Sequence, residues 1–158
     1  MADASKQHAA AVPLFERLTD RNPEQPREPR PLRTLSHEEL VRSVTREVAR
    51  LLNVRSGHAG WELIGQGRSA INYGVTDLLW VNPHDPQSLD ALVYLLQGSI
   101  EAFEPRLRWV SVRVVHFVQT ESRVVLAISG YLVTENLREP VSFQVTASPR
   151  YKEALLDE

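Results

Sequence analysis

A chain of 158 residues with 42% hydrophobic content carries enough apolar side chain for one core and too little for two. Eighteen Lys and Arg against 20 Asp and Glu leave a formal charge of -2, so no global basic field exists to attract phosphate backbones, and nucleic acid is excluded as the expected partner. The lack of any cysteine removes disulfides, thiolate nucleophiles and cysteine-ligated metals together, and fits a reducing cytoplasm.

The N-terminal stretch "MADASKQHAAAVPLFERL" has no basic region leading into an apolar one. Nor does the chain contain a run of about 18 apolar residues, so a non-secreted protein without direct membrane insertion is expected. Residues 1–34 read as a flexible N-terminal extension. Between 19 and 33, prolines and charges alternate with almost nothing apolar, and such a segment cannot offset its ordering entropy by burial. Ahead of it, Val12, Leu14, Phe15 and Leu18 form a short apolar patch. That patch either docks back onto the domain or binds another subunit.

A single domain is expected over residues 35–150. It opens on "LSHEELVRSVTREVARLLN", where Ser36 and Glu39 have the spacing of a capping box, each side chain satisfying a free N–H at the helix start. Leu40, Val44, Val48 and Leu52, joined by Val41 and Leu51, recur at helical period while the charges fall largely elsewhere, which predicts one core-facing stripe. Asn53 and the glycines Gly57 and Gly60 end it. Next, "GRSAINYGVTDLLWVNPHDP" is punctuated as loop and turn, with a short extended piece expected near Leu78 and Val81. A second helix takes Asp85 as N-cap, Pro86 as its first residue, and Leu89, Leu92, Val93, Leu96, Ile100 and Phe103 as its stripe. Pro105 stops it.

Three strands complete the domain. In the first, Val110, Val112, Val114 and Val118 are expected on one face, with Trp109, Val115 and Phe117 on the other. "QTESR" turns the chain into "VVLAISGYLVT", and "ENLREP" returns it to "VSFQVTA". The fold class is therefore α+β: two main helices packed on an antiparallel sheet of at least three strands, behind a polar N-terminal extension. Residues 151–158 form a C-terminal tail.

The chemistry-bearing residues are few. His8, His37, His58, His84 and His116 share no ligand spacing, and in "HEELV" Val41 stands where a zinc-protease helix needs its second histidine. No metal or other cofactor is expected, nor a phosphate loop or a nucleophile elbow. Glu101 and Glu104, three apart on a helix, come within roughly 5 to 6 Å of each other. They point the same way, however, whereas a glycosidase sets its carboxylates on opposite sides of the scissile bond. Hence no catalytic residue is assigned.

"FEPRL" remains. Its plainest role is structural, since Pro105 ends the helix, Arg106 complements the negative end of the helix dipole, and Glu104 and Arg106 can pair locally for well under about 1 kcal/mol if exposed. Its functional reading is a rigid corner presenting one acid and one guanidinium, suited to a bidentate contact with a partner carboxylate. A second copy, Glu28-Pro29-Arg30, lies in the polar extension and presents nothing rigidly.

Taken in order, "PLFERLTD", "LVRSVTREVARLLNVRSG", "SAINYGVTDL", "IEAFEPRLRWVSVRV" and "PVSFQV" resemble TssE, the baseplate subunit of type VI secretion systems, which is similar to the small wedge protein of contractile-phage baseplates. Val54 and Thr76 depart from the family's usual threonine and proline. The resemblance implies a non-enzymatic structural subunit, cytoplasmic and located at the membrane-docked baseplate. It would dock on the other wedge subunits, TssF, TssG and TssK, and initiate polymerisation of the contractile sheath of TssB and TssC by strand addition at an open sheet edge. The family's docking motif falls on Glu104, Pro105 and Arg106, with Leu14, Phe15 and Leu18 as a second protein-binding segment. Because phage relatives have been called lysozymes, a peptidoglycan-cleaving muramidase is the alternative, and the missing carboxylate pair disfavours it. Arg106→Ala is expected to abolish sheath assembly in a folded domain.

Overall fold

The computed structural model describes residues 10–13, 18, 24, 34–57, 69–78, 80–118, 123–134 and 137–148. Helix α1 spans His37–Asn53 and opens with the expected capping box. The Ser36 N–H donates to Glu39 Oε2 at 2.8 Å, and the Glu39 N–H donates to Ser36 Oγ at 3.4 Å. Its stripe of Leu40, Val44, Val48, Leu51 and Leu52 is buried, and Ser43 is buried with it. Helix α2, Pro86–Phe103, starts on Asp85, whose carboxylate accepts from the Gln87 N–H at 3.1 Å. It buries Leu92, Leu96, Ser99 and Ile100.

Five strands are described: β1 (Ala10–Ala11), β2 (Thr34–Leu35), β3 (Leu107–Val118), β4 (Arg123–Val133) and β5 (Arg138–Ala147). The last three form an antiparallel sheet with β4 in the centre. Helix α2 packs on β3 and α1 on β5, so both helices cover the same face. Between the layers Val124, Leu126, Ile128 and Leu132 of β4 are fully buried; each such side chain contributes about 1.5–3 kcal/mol relative to exposure. In the small sheet β1 pairs antiparallel with β2, and Val12, next in the chain, enters the core beside Leu35. Among the described residues near 80 there is no strand. The Val81 N–H instead donates to the Leu78 oxygen at 3.1 Å, a turn that buries both side chains.

Strand β3 departs from simple alternation twice. The register slips between Arg108 and Ser111 and again between Val114 and His116. At each slip an extra residue faces one partner residue, and the parity of every following side chain reverses. Leu107 and Val110 consequently both reach the core. Beyond the second bulge Phe117 pairs with Val124 and packs against the core, while Val118 pairs with Arg123. The expected faces of Phe117 and Val118 are thus exchanged. Trp109, at the first bulge, has φ of 50°, a left-handed conformation that costs a bulky residue about 1–3 kcal/mol. Gly130 lies opposite. A Cβ there would sit 2.9 Å from the Arg108 carbonyl oxygen, so only glycine lets the bulge come this close.

The end of α1 is tied to the end of β5. Asn53 Nδ2 donates to the Thr146 oxygen at 3.0 Å and its Oδ1 accepts from the Ser148 N–H at 3.0 Å. Arg55 donates to the Leu52 and Ser148 carbonyls. Burial lowers the pKa of that guanidinium from its ordinary value, against the opposing field of Asp77. Beside it Val54, Ser56 and Val75 exchange two backbone bonds of 2.9 Å. Gly74, with φ of +114°, permits the approach, because a Cβ would meet the Val54 oxygen at 2.7 Å.

Candidate protein-docking site

Glu104 caps α2, and its N–H donates to the Ile100 oxygen at 2.8 Å. Pro105 and Arg106 then turn the chain into β3, and the Arg106 carbonyl accepts from the Val133 N–H at 2.8 Å. The corner is anchored at both ends. Within it the arginine folds back on its own glutamate: Arg106 Nε donates to Glu104 Oε1 at 2.7 Å and a terminal nitrogen to Oε2 at 2.6 Å. The other terminal nitrogen donates to Ser43 Oγ of α1 at 3.1 Å.

This differs from the expectation in two ways. The pair is not exposed, since the Glu104 side chain retains 5% of its accessible surface and that of Arg106 22%. Losing one member of a buried, doubly hydrogen-bonded pair costs about 3–5 kcal/mol, because the other is left as an uncompensated charge. Moreover, the guanidinium edge suited to a partner carboxylate already holds Glu104. What the corner offers outward is the exposed ring of Pro105 and a groove beside it.

That groove has a volume of about 390 Å³. Ala11 and Pro13 of the N-terminal segment form part of its wall, Glu47 and Leu51 of α1 another, and Phe103 to Arg106 a third. Tyr73 completes it, meeting Phe103 edge to face with ring centroids 5.2 Å apart. Burial raises the Tyr73 pKa, reinforced by the Glu47 carboxylate, opposed by Arg50 and reinforced again by Glu104. Segments distant in sequence thus meet in a mostly apolar concavity with charged margins, a form suited to receiving an apolar element of another protein. Glu101, the other carboxylate of the expected pair, accepts from the Val110 N–H at 3.3 Å. It braces the bulge. Among the described residues no three His, Asp or Glu gather as metal ligands would, and no helix is long and apolar enough to cross a membrane.

The family model of the baseplate wedge protein gp25 matches residues 38–137. The chain belongs to the gp25 baseplate wedge family. The resemblance drawn from the sequence blocks holds at this level, and a structural part in a baseplate comes with it. A chain in a solved structure described as "The baseplate complex from the type VI secretion system" shares the fold with a TM-score of 0.50 and 17% identity, the alignment covering 70% of this chain and 96% of that one. No curated protein matches. The gp25 match runs from the first turn of α1 to the approach to β5, so it contains the corner, Ser43 and Tyr73.

Of the residues singled out for docking, Glu104, Pro105 and Arg106 line the groove. Leu18 is 74% exposed, and Leu14 and Phe15 lie outside the described residues. Sequence reasoning missed Ser43, Glu47 and Tyr73. The first two had a signal: Ser43, Glu47 and Leu51 follow one another at four-residue spacing along α1, placing two polar residues in line with a core leucine.

Proposed function

We infer that this wedge protein is the TssE-type subunit of a type VI secretion baseplate, non-enzymatic, cytoplasmic and recruited to the membrane-docked complex. It docks through the Glu104-Pro105-Arg106 corner and its N-terminal segment onto the other wedge subunits, TssF, TssG and TssK. It then starts the sheath of TssB and TssC by pairing a sheath strand with a free edge of the β3–β4–β5 sheet. The observation that carries this reading is the groove in which the N-terminal segment, α1, Tyr73 and the corner meet, in a chain of the wedge family. The open edges of β3 and β5 support the sheath step. Glu101 and Glu104, both engaged in holding the corner and the bulge, support a structural role over a hydrolytic one.

The test is co-purification from cells producing the wedge and sheath proteins, comparing the native chain with a Glu104→Ala/Arg106→Ala double variant whose fold is verified by circular dichroism. Removing both members of the pair avoids stranding a buried charge. Loss of the wedge complex is expected. Recovery equal to the native chain would reduce the corner to a helix stop and move the search to the sheet edges.

A further inference from the structure

The helices cover one face of the main sheet, and among the described residues no helix or strand packs on the other. On that second face β3 presents Arg108, Ser111, Arg113 and His116, β4 presents Ser129 and Tyr131, and β5 presents Arg138, Pro140, Ser142 and Gln144. Among the described residues of this face there is no Asp or Glu. A protein of net charge -2 thus concentrates cations on one surface, which sets up a local field of opposite sign to the whole. Arg123 stands on the same face at its far end.

One of these cations is held in place. The Arg138 guanidinium lies 4.3 Å from the ring centroid of Trp109 and 5.4 Å from that of Tyr131, and the two rings meet edge to face at 5.7 Å. Trp109 is 60% exposed and Tyr131 40%. A cation over an aromatic face is held by the charge distribution of the ring and not through its N–H donors, so the fork remains available to a carboxylate. The strained φ of Trp109 and the bare Gly130 opposite it are what aim the indole outward, a common use of a bulge. Trp, Tyr and Arg are also the residue types that dominate binding hot spots. Three strands about 4.8 Å apart make a strip roughly 10 Å across, about the diameter of one helix.

We propose that this outer face is a docking surface for an acidic segment of another protein, one secondary-structure element wide, anchored by a carboxylate on the Trp109–Arg138–Tyr131 stack and guided by Arg108 and Arg113. This surface is separate from the sheet edges and from the groove at the corner. It rests on the baseplate reading above for the set of proteins that contains its partner, and not on the sheath step.

The experiment places the photo-cross-linking residue benzoylphenylalanine at Ser129, in the middle of the face, in the full chain produced together with the wedge and sheath proteins. The cross-linked peptide is identified by mass spectrometry. The expected product is a segment of another protein in which Asp and Glu outnumber Lys and Arg. Its yield should fall at least tenfold in Arg108→Glu/Arg138→Glu and recover when the mapped acids are changed to lysine. Should that double variant unfold, the exposed Arg113→Glu serves in its place, with a smaller loss expected. A cross-link to a neutral or basic segment, to this chain's own residues 149–158, or to nothing at all would overturn the proposal, as would a yield indifferent to charge reversal. Recovery of the wedge complex in the same cells reports the corner separately, and is expected to survive the charge reversal.

Discussion

Arg106 and Arg138 are both fixed by their neighbours, with opposite consequences. Arg106 is held by a buried carboxylate and a buried hydroxyl, and its hydrogen-bonding edge is spent inside the protein. Arg138 is exposed and lies over two exposed rings, with no carboxylate among the described residues holding its donors. An arginine clamped through its donors builds a scaffold, whereas one clamped through its plane can still receive a ligand. Membership of the Glu-Pro-Arg motif therefore does not say which kind a given arginine is.

Substitutions can break or sharpen this contrast. Val112→Asp sets the upper bound: Val112 is 6% exposed in the core, and an unpaired charge there should abolish the cooperative thermal transition. A native-like melt would contradict the placement of β3. Arg106→Ala comes next. The sequence alone predicts a folded domain, but the buried Glu104 left behind predicts a loss of about 3–5 kcal/mol in urea unfolding, most of it recovered in the Glu104→Ala/Arg106→Ala double variant. Equal losses in single and double variants would mean the pair is not coupled.

Gly130→Ala tests how the outward stack is aimed. With a Cβ 2.9 Å from the Arg108 oxygen, the bulge must shift at a cost of about 1–3 kcal/mol, and Trp109 fluorescence should change with it. Arg138→Gln should cost less, about 0.5–1 kcal/mol for an exposed cation–π contact. A loss as large as that of Arg106→Ala would erase the distinction. The smallest effect concerns pH. The Tyr73 phenol is neutral in the folded protein with its pKa raised by burial, so the stability it provides is complete below the ordinary tyrosine value of about 10 and lost as pH rises through the higher folded value. The difference between the phenolate absorbance titrations of the native chain and Tyr73→Phe should therefore lie above that value.

Much of this fold was legible because its signals are local. Ser36 with Glu39, Asp85 with Pro86, and the apolar stripes of both helices each sit within one or two turns of chain. The faces of β3 were not, because a bulge is a relation between strands: nothing in "RLRWVSVRVV" marks the extra residue until Gly130 lies beside it. The same bulge hid the basic face. Arg108 and Arg113 are an odd number of residues apart, so simple alternation puts them on opposite sides, yet both face outward. At the corner the motif itself was found and its geometry was not, since the hydroxyl that orients Arg106 is 63 residues away.

The clasp between Asn53, Arg55 and the end of β5 gives the molecule an order in time. Its partners are separated by 93 and 95 residues, so closing it requires a long loop to be gathered first, and such contacts form late. During synthesis Asn53 and the half-buried Arg55 just beyond α1 are made early, and their distant partners, the Thr146 and Ser148 carbonyls and the Ser148 amide, arrive only with the end of β5. A nascent chain that stops short of Thr146 can form both helices and the β3–β4 hairpin but neither a complete β5 nor the latch, and should become resistant to proteolysis only once β5 has emerged.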